Sequence, residues 1–342
     1  MKRVEWIDTA KGICIILVVL NHLCIYSGII ANNDNYIVLQ FNNFLTSFRM
    51  PLYFVLSGLF FKKYGGGLMF FRKKTNKLII PFVFFYILSA DIIPLIYKKI
   101  TLHSLIGIDN LNFIEQLLDI FYYCCQNTNG PLWFLLCLFE VNFLFFIFHS
   151  ISKGSVLIVY CSSILSGIIG LSMSYFDVLL PLSLSTSFTC LPFFAFGYYI
   201  RNTSKLLQKS KIDNHLLCYA AVCALFCAII ARHVIYYKNE FYNTSYFSAH
   251  ICGILGTMMI LLLSKRIGKT PVLSYYGKYS IITLCTHYPI YVLLDNTLFA
   301  IIYIHGWEKV LISFFLVFLL ELILIPISIN YLPHVTAQKD LL

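Results

Sequence analysis

The sequence predicts an all-α, polytopic integral membrane protein with about ten transmembrane helices and both termini in the cytoplasm. Of its 342 residues, 59% are hydrophobic and only 12% are charged, and the mean hydropathy is +0.80. A soluble domain usually has about 25% charged residues, and a single soluble core cannot hide this much apolar surface. Most of the chain is therefore expected to lie in lipid.

Ten apolar stretches are candidates for the roughly 20 residues that a transmembrane helix needs. They cover residues 12–30, 37–61, 78–97, 131–149, 155–174, 183–200, 215–235, 248–264, 279–303 and 310–331. The longest segment between them, 98–130, contains a partly amphipathic piece at 111–123 that predicts a short helix on the outer surface. No soluble domain is expected, so residues 1–342 are predicted to form one transmembrane domain.

The basic residues orient these spans, because cytoplasmic loops carry an excess of Lys and Arg. With the N-terminus inside, 19 of the 25 Lys and Arg residues fall on the cytoplasmic side and 5 on the outer side, while Arg49 lies within a span. Basic residues occur in short runs between apolar segments, so no nucleic-acid partner is expected. The twelve cysteines form no CxxC pair, and we predict neither a disulfide framework nor a metal site.

Ionisable side chains inside spans are costly and are candidates for function. The sequence contains six of them: His22, Arg49, Asp91, Glu140, His287 and Glu321. At a rise of about 1.5 Å per residue from the nearest cytoplasmic basic residue, four of these lie roughly 14–20 Å deep. This common depth predicts that His22, Arg49, Glu140 and His287 share a buried polar chamber. No partner is predicted for Glu321.

The first span carries a cation and an imidazole on one face. Lys11 and His22 are eleven residues apart, which leaves them about 20° apart around the helix and roughly 16 Å apart along it. This spacing resembles the reach of a pantetheine arm. A buried, neutral histidine is a suitable general base for a sugar hydroxyl, so His22 is the predicted base.

Each of these residues also has a structural interpretation. His22 could simply bond to a neighbouring helix. Arg49 could polarise a thioester carbonyl, or it could pair internally with Glu140 or Asp91. His287 is a candidate catalytic residue that would stabilise the developing oxyanion together with Arg49. Alternatively, because it precedes Pro289, which frees a backbone carbonyl, its ring could be satisfied locally.

The densest basic stretch follows the second span and comprises Lys62, Lys63, Arg72, Lys73, Lys74 and Lys77. Topology and attraction to anionic membrane lipid explain it without further function. Alternatively, it forms a cytoplasmic mouth that gathers the phosphates of an acyl-CoA. Asp8 is predicted to support Lys11 as a helix pair at the membrane surface.

Several segments carry a family resemblance that covers nearly the whole chain. They are WIDTAKGICIILVVLNH (6–22), FRMPLYFVLSGLFF (48–61), RKKTNKLIIPF (72–82), GPLWFLLCLFE (130–140), LPFFAFGYYI (191–200) and YGKYSIITLCTHYPIY (276–291). In content and order they resemble the acyltransferase 3 family of membrane O-acyltransferases. The resemblance implies transfer of an acyl group, most often acetyl, from acyl-CoA to hydroxyls of cell-surface carbohydrates.

The resemblance also implies roles for individual residues. His22 matches the family's catalytic histidine, and Arg49 matches a commonly basic position. Lys11 stands where many members have arginine, and Lys74 and Lys77 stand at an Arg-x-x-Arg pair associated with acyl-CoA. Lysine keeps the charge of arginine but loses its bidentate geometry toward phosphate.

The predicted function is thus a multi-pass O-acetyltransferase of the cytoplasmic membrane. It would use acetyl-CoA as a donor substrate, hold no permanent cofactor, and act on a polysaccharide or lipid-linked sugar. Many relatives carry a C-terminal esterase-like domain, whereas this sequence ends at Leu342, so we expect direct transfer or help from polysaccharide-assembly proteins. A secondary transporter for a sugar, acyl compound or lipid-linked intermediate is the alternative, and a non-catalytic scaffold is a third.

Overall fold

The computed structural model describes residues 4–30, 36–176, 178, 180–203, 215–230 and 246–342. The protein is 80% helical, and no strand occurs among the described residues. The helices are α1 (Glu5–Tyr26), α2 (Tyr36–Leu59), α3 (Gly67–Thr101), α4 (Phe113–Phe121), α5 (Trp133–Ile151), α6 (Val156–Tyr175), α7 (Leu184–Thr203), α8 (His215–Ile230), α9 (Tyr246–Ile267), α10 (Pro271–Lys278), α11 (Ser280–Asn296), α12 (Leu298–Ile301) and α13 (Gly306–Tyr331). The all-α membrane fold is therefore confirmed.

Each predicted span overlaps a helix, and six described helices are long and apolar enough to cross a membrane. These six are α1, α3, α5 with its preceding turn, α6, α9 and α13. The count of ten spans, the single domain and the cytoplasmic termini stay predictions. Part of the span predicted at 215–235 lies outside the described residues, as do Lys2, Arg3, Lys205, Lys209, Lys211, Arg232 and Lys238.

Helix α3 runs for 35 residues and contains two five-residue π-helical segments, Thr75–Ile79 and Leu88–Ile92. Pro81 and Pro94 follow these segments closely. A proline inside a helix lacks an N–H and its ring collides with the carbonyl four residues earlier, and a wider turn relieves that collision. Asn76 and Lys77 lie in the first π-helical segment, so its wider turn affects the direction in which both side chains point.

Helices α1 and α10 approach each other through glycines. A Cβ on Gly12 would lie 1.9 Å from the carbonyl oxygen of Leu273, and a Cβ on Gly277 would lie 1.8 Å from that of Asp8. Only residues without a side chain allow this backbone contact. The approach brings the chain next to Lys278 against the N-terminal end of α1.

The amphipathic piece predicted at 111–123 forms the short helix α4, as expected. Asn112 caps its N-terminus in a capping box with Glu115, which satisfies backbone N–H groups of the first turn. The buried Asp119 accepts hydrogen bonds from the hydroxyls of Tyr86 (3.1 Å) and Thr128 (2.8 Å). This anchor holds one side of α4 against the bundle, while Phe113 and Ile114 stay exposed.

Polar contacts gather several chain segments at the end of the bundle that is predicted to be cytoplasmic. Lys269 pairs with Glu5 at 2.8 Å, and the Thr9 hydroxyl donates to the carbonyl of Gly268 at 2.7 Å. The segment after α13 folds back against α3, where Lys77 pairs with Asp340 at 3.5 Å. Lys11, Lys77 and Ala337 line one cavity, so both ends of the described chain lie at the same end of the bundle.

Candidate active site

Two cavities enter the bundle and meet at a shared wall. The inner cavity, of about 440 Å³, is lined by lysines near the predicted cytoplasmic end. The outer cavity, of about 490 Å³, is lined by His22 and Arg49. Phe134 and Leu284 line both cavities, and both side chains are buried. These two apolar side chains therefore separate the lysines of the inner cavity from the histidine of the outer cavity.

The inner cavity has four lysines in its wall: Lys11, Lys74, Lys77 and Lys278. Three of them are predicted donor-binding residues. From the sequence, Lys278 is predicted only to be one of the cytoplasmic basic residues, although it directly precedes the YSIITLCTH segment that contains His287. Such a concentration of ammonium groups favours an anionic ligand.

Two of the predicted donor-binding residues do not join this group. Arg72 and Lys73 are exposed, and neither is among the residues that line the inner cavity. Lys74 and Lys77 are the residues of this run that line the cavity, and the π-helical segment Thr75–Ile79 begins between them. Their part in binding the donor stays a prediction, beside the alternative that they serve topology and lipid contact.

The segment after α13 forms part of the inner cavity, because Ala337 and Gln338 line it. The buried side chain of Asn76 holds this segment by accepting from the backbone N–H groups of Leu341 (2.6 Å) and Leu342 (2.9 Å). Lys77 donates to the carbonyl of Ala337 at 2.6 Å. The ammonium group of Lys77 is thus engaged by this chain's own oxygens.

His22 and His287 form a direct pair, although 265 positions separate them in the sequence. Nδ1 of His22 lies 2.8 Å from Nε2 of His287, and the two rings are parallel to within 4°. Nδ1 of His287 lies 2.8 Å from the carbonyl oxygen of Thr283, one turn earlier on α11. His287 is fully buried, whereas His22 lines the outer cavity. His287 therefore has the local contact that the sequence suggested, with a backbone carbonyl of its own helix, and in addition a contact with His22, the predicted base.

These contacts fix the tautomers of both rings. A carbonyl oxygen only accepts, so Nδ1 of His287 carries a proton, and Nε2 of a neutral His287 is then an acceptor. Nδ1 of His22 must in turn donate to that acceptor. In a neutral His22 the lone pair therefore lies on Nε2, which makes this nitrogen the proton-accepting atom.

Arg49 is buried in α2 and lines the outer cavity beside His22. Its guanidinium donates to the carbonyls of Leu45 (3.0 Å) and Leu17 (3.1 Å) and to the Thr46 hydroxyl (2.8 Å). No ion pair of Arg49 is found among the described residues. The alternative that Arg49 pairs with Glu140 or Asp91 is not realised, and its positive charge remains available to a ligand.

The sequence did not single out the other polar groups of the outer cavity. Asn21 donates to Asn42, and both line the wall with Thr46 and Trp133. Asn21 directly precedes His22, but an uncharged amide or hydroxyl in a span gives little signal in composition. Whether Asn21 lines a cavity depends on which helix packs against it, and the sequence does not contain that information.

Glu140 lies outside the predicted chamber. Its carboxylate accepts from the Ser187 hydroxyl at 2.7 Å and from the backbone N–H of Ser183, between α5 and α7. Equal depth did not bring it to His22, because residues at one depth can face different neighbours around a helix. Asp8 lies in the first turn of α1, where its backbone carbonyl contacts Gly277, and Asp91 accepts from Gln116 at 2.7 Å.

Comparison with known proteins gives one finding. The family model described as an acyltransferase domain, acyltransferase 3, matches residues 4–326, which is nearly the whole chain. The matched range includes His22, Arg49, His287 and the four lysines of the inner cavity. The comparisons with curated proteins and with solved structures gave no match.

Proposed function

The chain belongs to the acyltransferase 3 family, and from this premise we propose that it is a membrane O-acetyltransferase. It would transfer acetyl from acetyl-CoA to a hydroxyl of a cell-surface polysaccharide or a lipid-linked sugar, in the cytoplasmic membrane. The observation that carries the proposal is the meeting of a lysine-lined cavity and a histidine-lined cavity at Phe134 and Leu284.

The donor would bind in the inner cavity. Its phosphates are anionic and would bind to Lys11, Lys74, Lys77 and Lys278. The acetylated pantetheine arm is narrow and uncharged, and to reach His22 it would have to pass the apolar side chains of Phe134 and Leu284. Lys11 and His22 are roughly 16 Å apart along α1, and this distance requires an extended arm.

The acceptor would enter the outer cavity and present a hydroxyl to His22. Nε2 of His22 takes the hydroxyl proton while the hydroxyl oxygen attacks the thioester carbonyl carbon. The carbon–sulfur bond then breaks, and the sulfur of coenzyme A leaves with the proton held by His22. Arg49, whose charge has no carboxylate partner among the described residues, would stabilise the negative charge that develops on the carbonyl oxygen.

We would test this with cells that lack the gene, complemented at equal membrane abundance by wild type, His22→Ala or His250→Ala. His250 is a matched control, because it is a histidine that stacks on Phe193 and lies away from both cavities. Proton NMR of surface polysaccharide should show O-acetyl groups with wild type and with His250→Ala, and none with His22→Ala.

A second measurement separates the enzyme from the transporter alternative. Purified protein in lipid vesicles is given acetyl-CoA labelled in the acetyl group, and label on extracted polysaccharide is counted. Transfer by wild type and its loss in His22→Ala support the enzyme. Equal acetylation with His22→Ala would contradict the proposed base, and no labelled product under any condition would favour transport.

A further inference from the structure

Glu321 is the buried carboxyl for which the sequence gave no partner. It is fully buried in α13, and its two oxygens contact the hydroxyls of Thr283 (3.3 Å) and Thr286 on α11. Both threonines lie in the turn that leads into His287. No ion pair of Glu321 is found in the described part of the chain.

Counting protons around Thr286 indicates the state of this carboxyl. The Thr286 hydroxyl lies 2.8 Å from the carbonyl of Ile282 and also contacts Oε1 of Glu321. A hydroxyl has one proton to donate, and a carbonyl oxygen only accepts. Both contacts are satisfied when Thr286 donates to Ile282 and a protonated Oε1 donates to Thr286.

The surroundings favour the same state. A carboxylate without a cation in a membrane interior is costly, and protonation removes the charge. Within the described part of the chain, the titratable groups that interact electrostatically with Glu321 are Tyr275 and Tyr276 on α10 and Cys285 on α11, and none of these three is a cation. His287 lies one residue beyond Thr286 and is bound to Thr283 and His22.

Thr283 connects the carboxyl to the histidine pair. Its hydroxyl is bound by Glu321, and its backbone carbonyl accepts from Nδ1 of His287. That carbonyl sets the tautomer of His287, which in turn sets the tautomer of His22. A shift of this turn would therefore reach the proposed base without any direct contact with substrate.

We propose that Glu321 is a neutral carboxylic acid that acts as a positioning residue: it holds the Thr283–Thr286 turn and so keeps His22 in the proton-accepting tautomer. The inference rests on the proposed function, since it concerns the residue that would act as base. Glu321 itself touches neither donor nor acceptor, because it lines neither the inner nor the outer cavity.

The test compares Glu321→Gln with Glu321→Leu. A glutamine side chain donates from its amide nitrogen and accepts at its oxygen, which reproduces the pattern of a neutral acid. Glu321→Gln should keep kcat within about 3-fold of wild type. Glu321→Leu should lower kcat roughly 10- to 100-fold with an unchanged KM for acetyl-CoA, because a misplaced catalytic group costs about this much.

Val317→Ala is the matched control, since Val317 is fully buried one turn away on the same helix. It should leave kcat within about 3-fold of wild type, which would show that loosened packing alone is insufficient. The proposal is overturned if Glu321→Gln loses as much activity as Glu321→Leu, or if Glu321→Leu behaves like wild type.

Two spectroscopic readouts need no activity and separate this proposal from the proposed function. The infrared difference spectrum between wild type and Glu321→Gln should contain the carbonyl stretch of a protonated carboxyl group, and carboxylate bands instead would refute the neutral acid. Nitrogen-15 NMR of labelled histidines should show the Nδ1-protonated tautomer of His287 in wild type and its loss in Glu321→Leu. A preserved tautomer in Glu321→Leu would refute the positioning role even if the protein is not an acetyltransferase.

Discussion

Replacing His287 should weaken catalysis through the tautomer of His22. Nε2 of His287 is the acceptor for Nδ1 of His22 at 2.8 Å, and His287→Leu removes it. The Nδ1–H of His22 would then lack its acceptor, which costs about 1–3 kcal/mol when the group is buried. At 1.36 kcal/mol per tenfold change in rate, this corresponds to roughly a 5- to 150-fold loss in kcat.

A second substitution isolates the hydrogen bond from the volume of the ring. In His287→Gln the amide oxygen can accept from His22, so this variant should retain more activity than His287→Leu. The assay is transfer of labelled acetyl in lipid vesicles, with kcat and KM for acetyl-CoA determined separately. KM should stay unchanged, because His287 lines neither cavity.

His250→Leu serves as the control for removing a histidine from a helix, since the half-buried His250 lines neither cavity, and it should transfer acetyl at the wild-type rate. The reasoning would be refuted if His287→Leu kept full activity, since the pair would then have no influence on the base. It would also be refuted if His287→Gln and His287→Leu lost activity equally, because an acceptor at this position would not matter.

Three further predictions follow from the inner cavity and the helix contacts. Lys74→Gln should raise the KM for acetyl-CoA roughly 3- to 30-fold, and the increase should be smaller at high salt. The adjacent, exposed Lys73→Gln should leave KM unchanged, and an equal increase in both variants would contradict the assignment of Lys74 to the donor cavity. Asp340→Asn should lower the KM for acetyl-CoA by up to about 5-fold, because it frees Lys77 from an exposed ion pair that is worth at most about 1 kcal/mol. A raised KM would refute the idea that Asp340 competes with the donor for Lys77. Gly277→Ala should lower the midpoint of thermal unfolding in detergent, since its Cβ would lie 1.8 Å from a backbone oxygen, whereas Gly67→Ala has open space and should not; equal midpoints would contradict the close approach.

Hydropathy was sufficient to recognise the class of protein and the positions of most helices. Apolar length is a local property, and the lipid solvent requires it of every span regardless of its neighbours. For the same reason the short helix α4 could be located from its amphipathic pattern, and its capping residues stand next to it in the sequence. The residue motifs also singled out His22 and the lysines at positions 11, 74 and 77, all of which line one of the two cavities.

The partners of these residues could not be obtained in the same way. Equal depth suggested that Glu140 joins His22, but depth leaves the rotation of each helix open. Glu140 instead bonds to Ser187 of α7 and to Ser183, which directly precedes that helix. Lys278 was treated as a topology signal, because nothing in its own segment indicates that it lies opposite Lys11. Asn21 and Asn42 are uncharged and therefore gave no signal.

The sequence by itself determined that this chain is a helical membrane protein of the acyltransferase kind and which histidine is the best candidate for its base. Only the tertiary structure decided that His22 meets His287, that Arg49 carries no partner carboxylate among the described residues, and that Glu321 bonds to the turn before His287. The physical reason is that a hydrogen bond depends on a few tenths of an ångström between helices far apart in sequence. Those distances are set by packing such as the glycine contact of α1 with α10, which composition and periodicity do not contain.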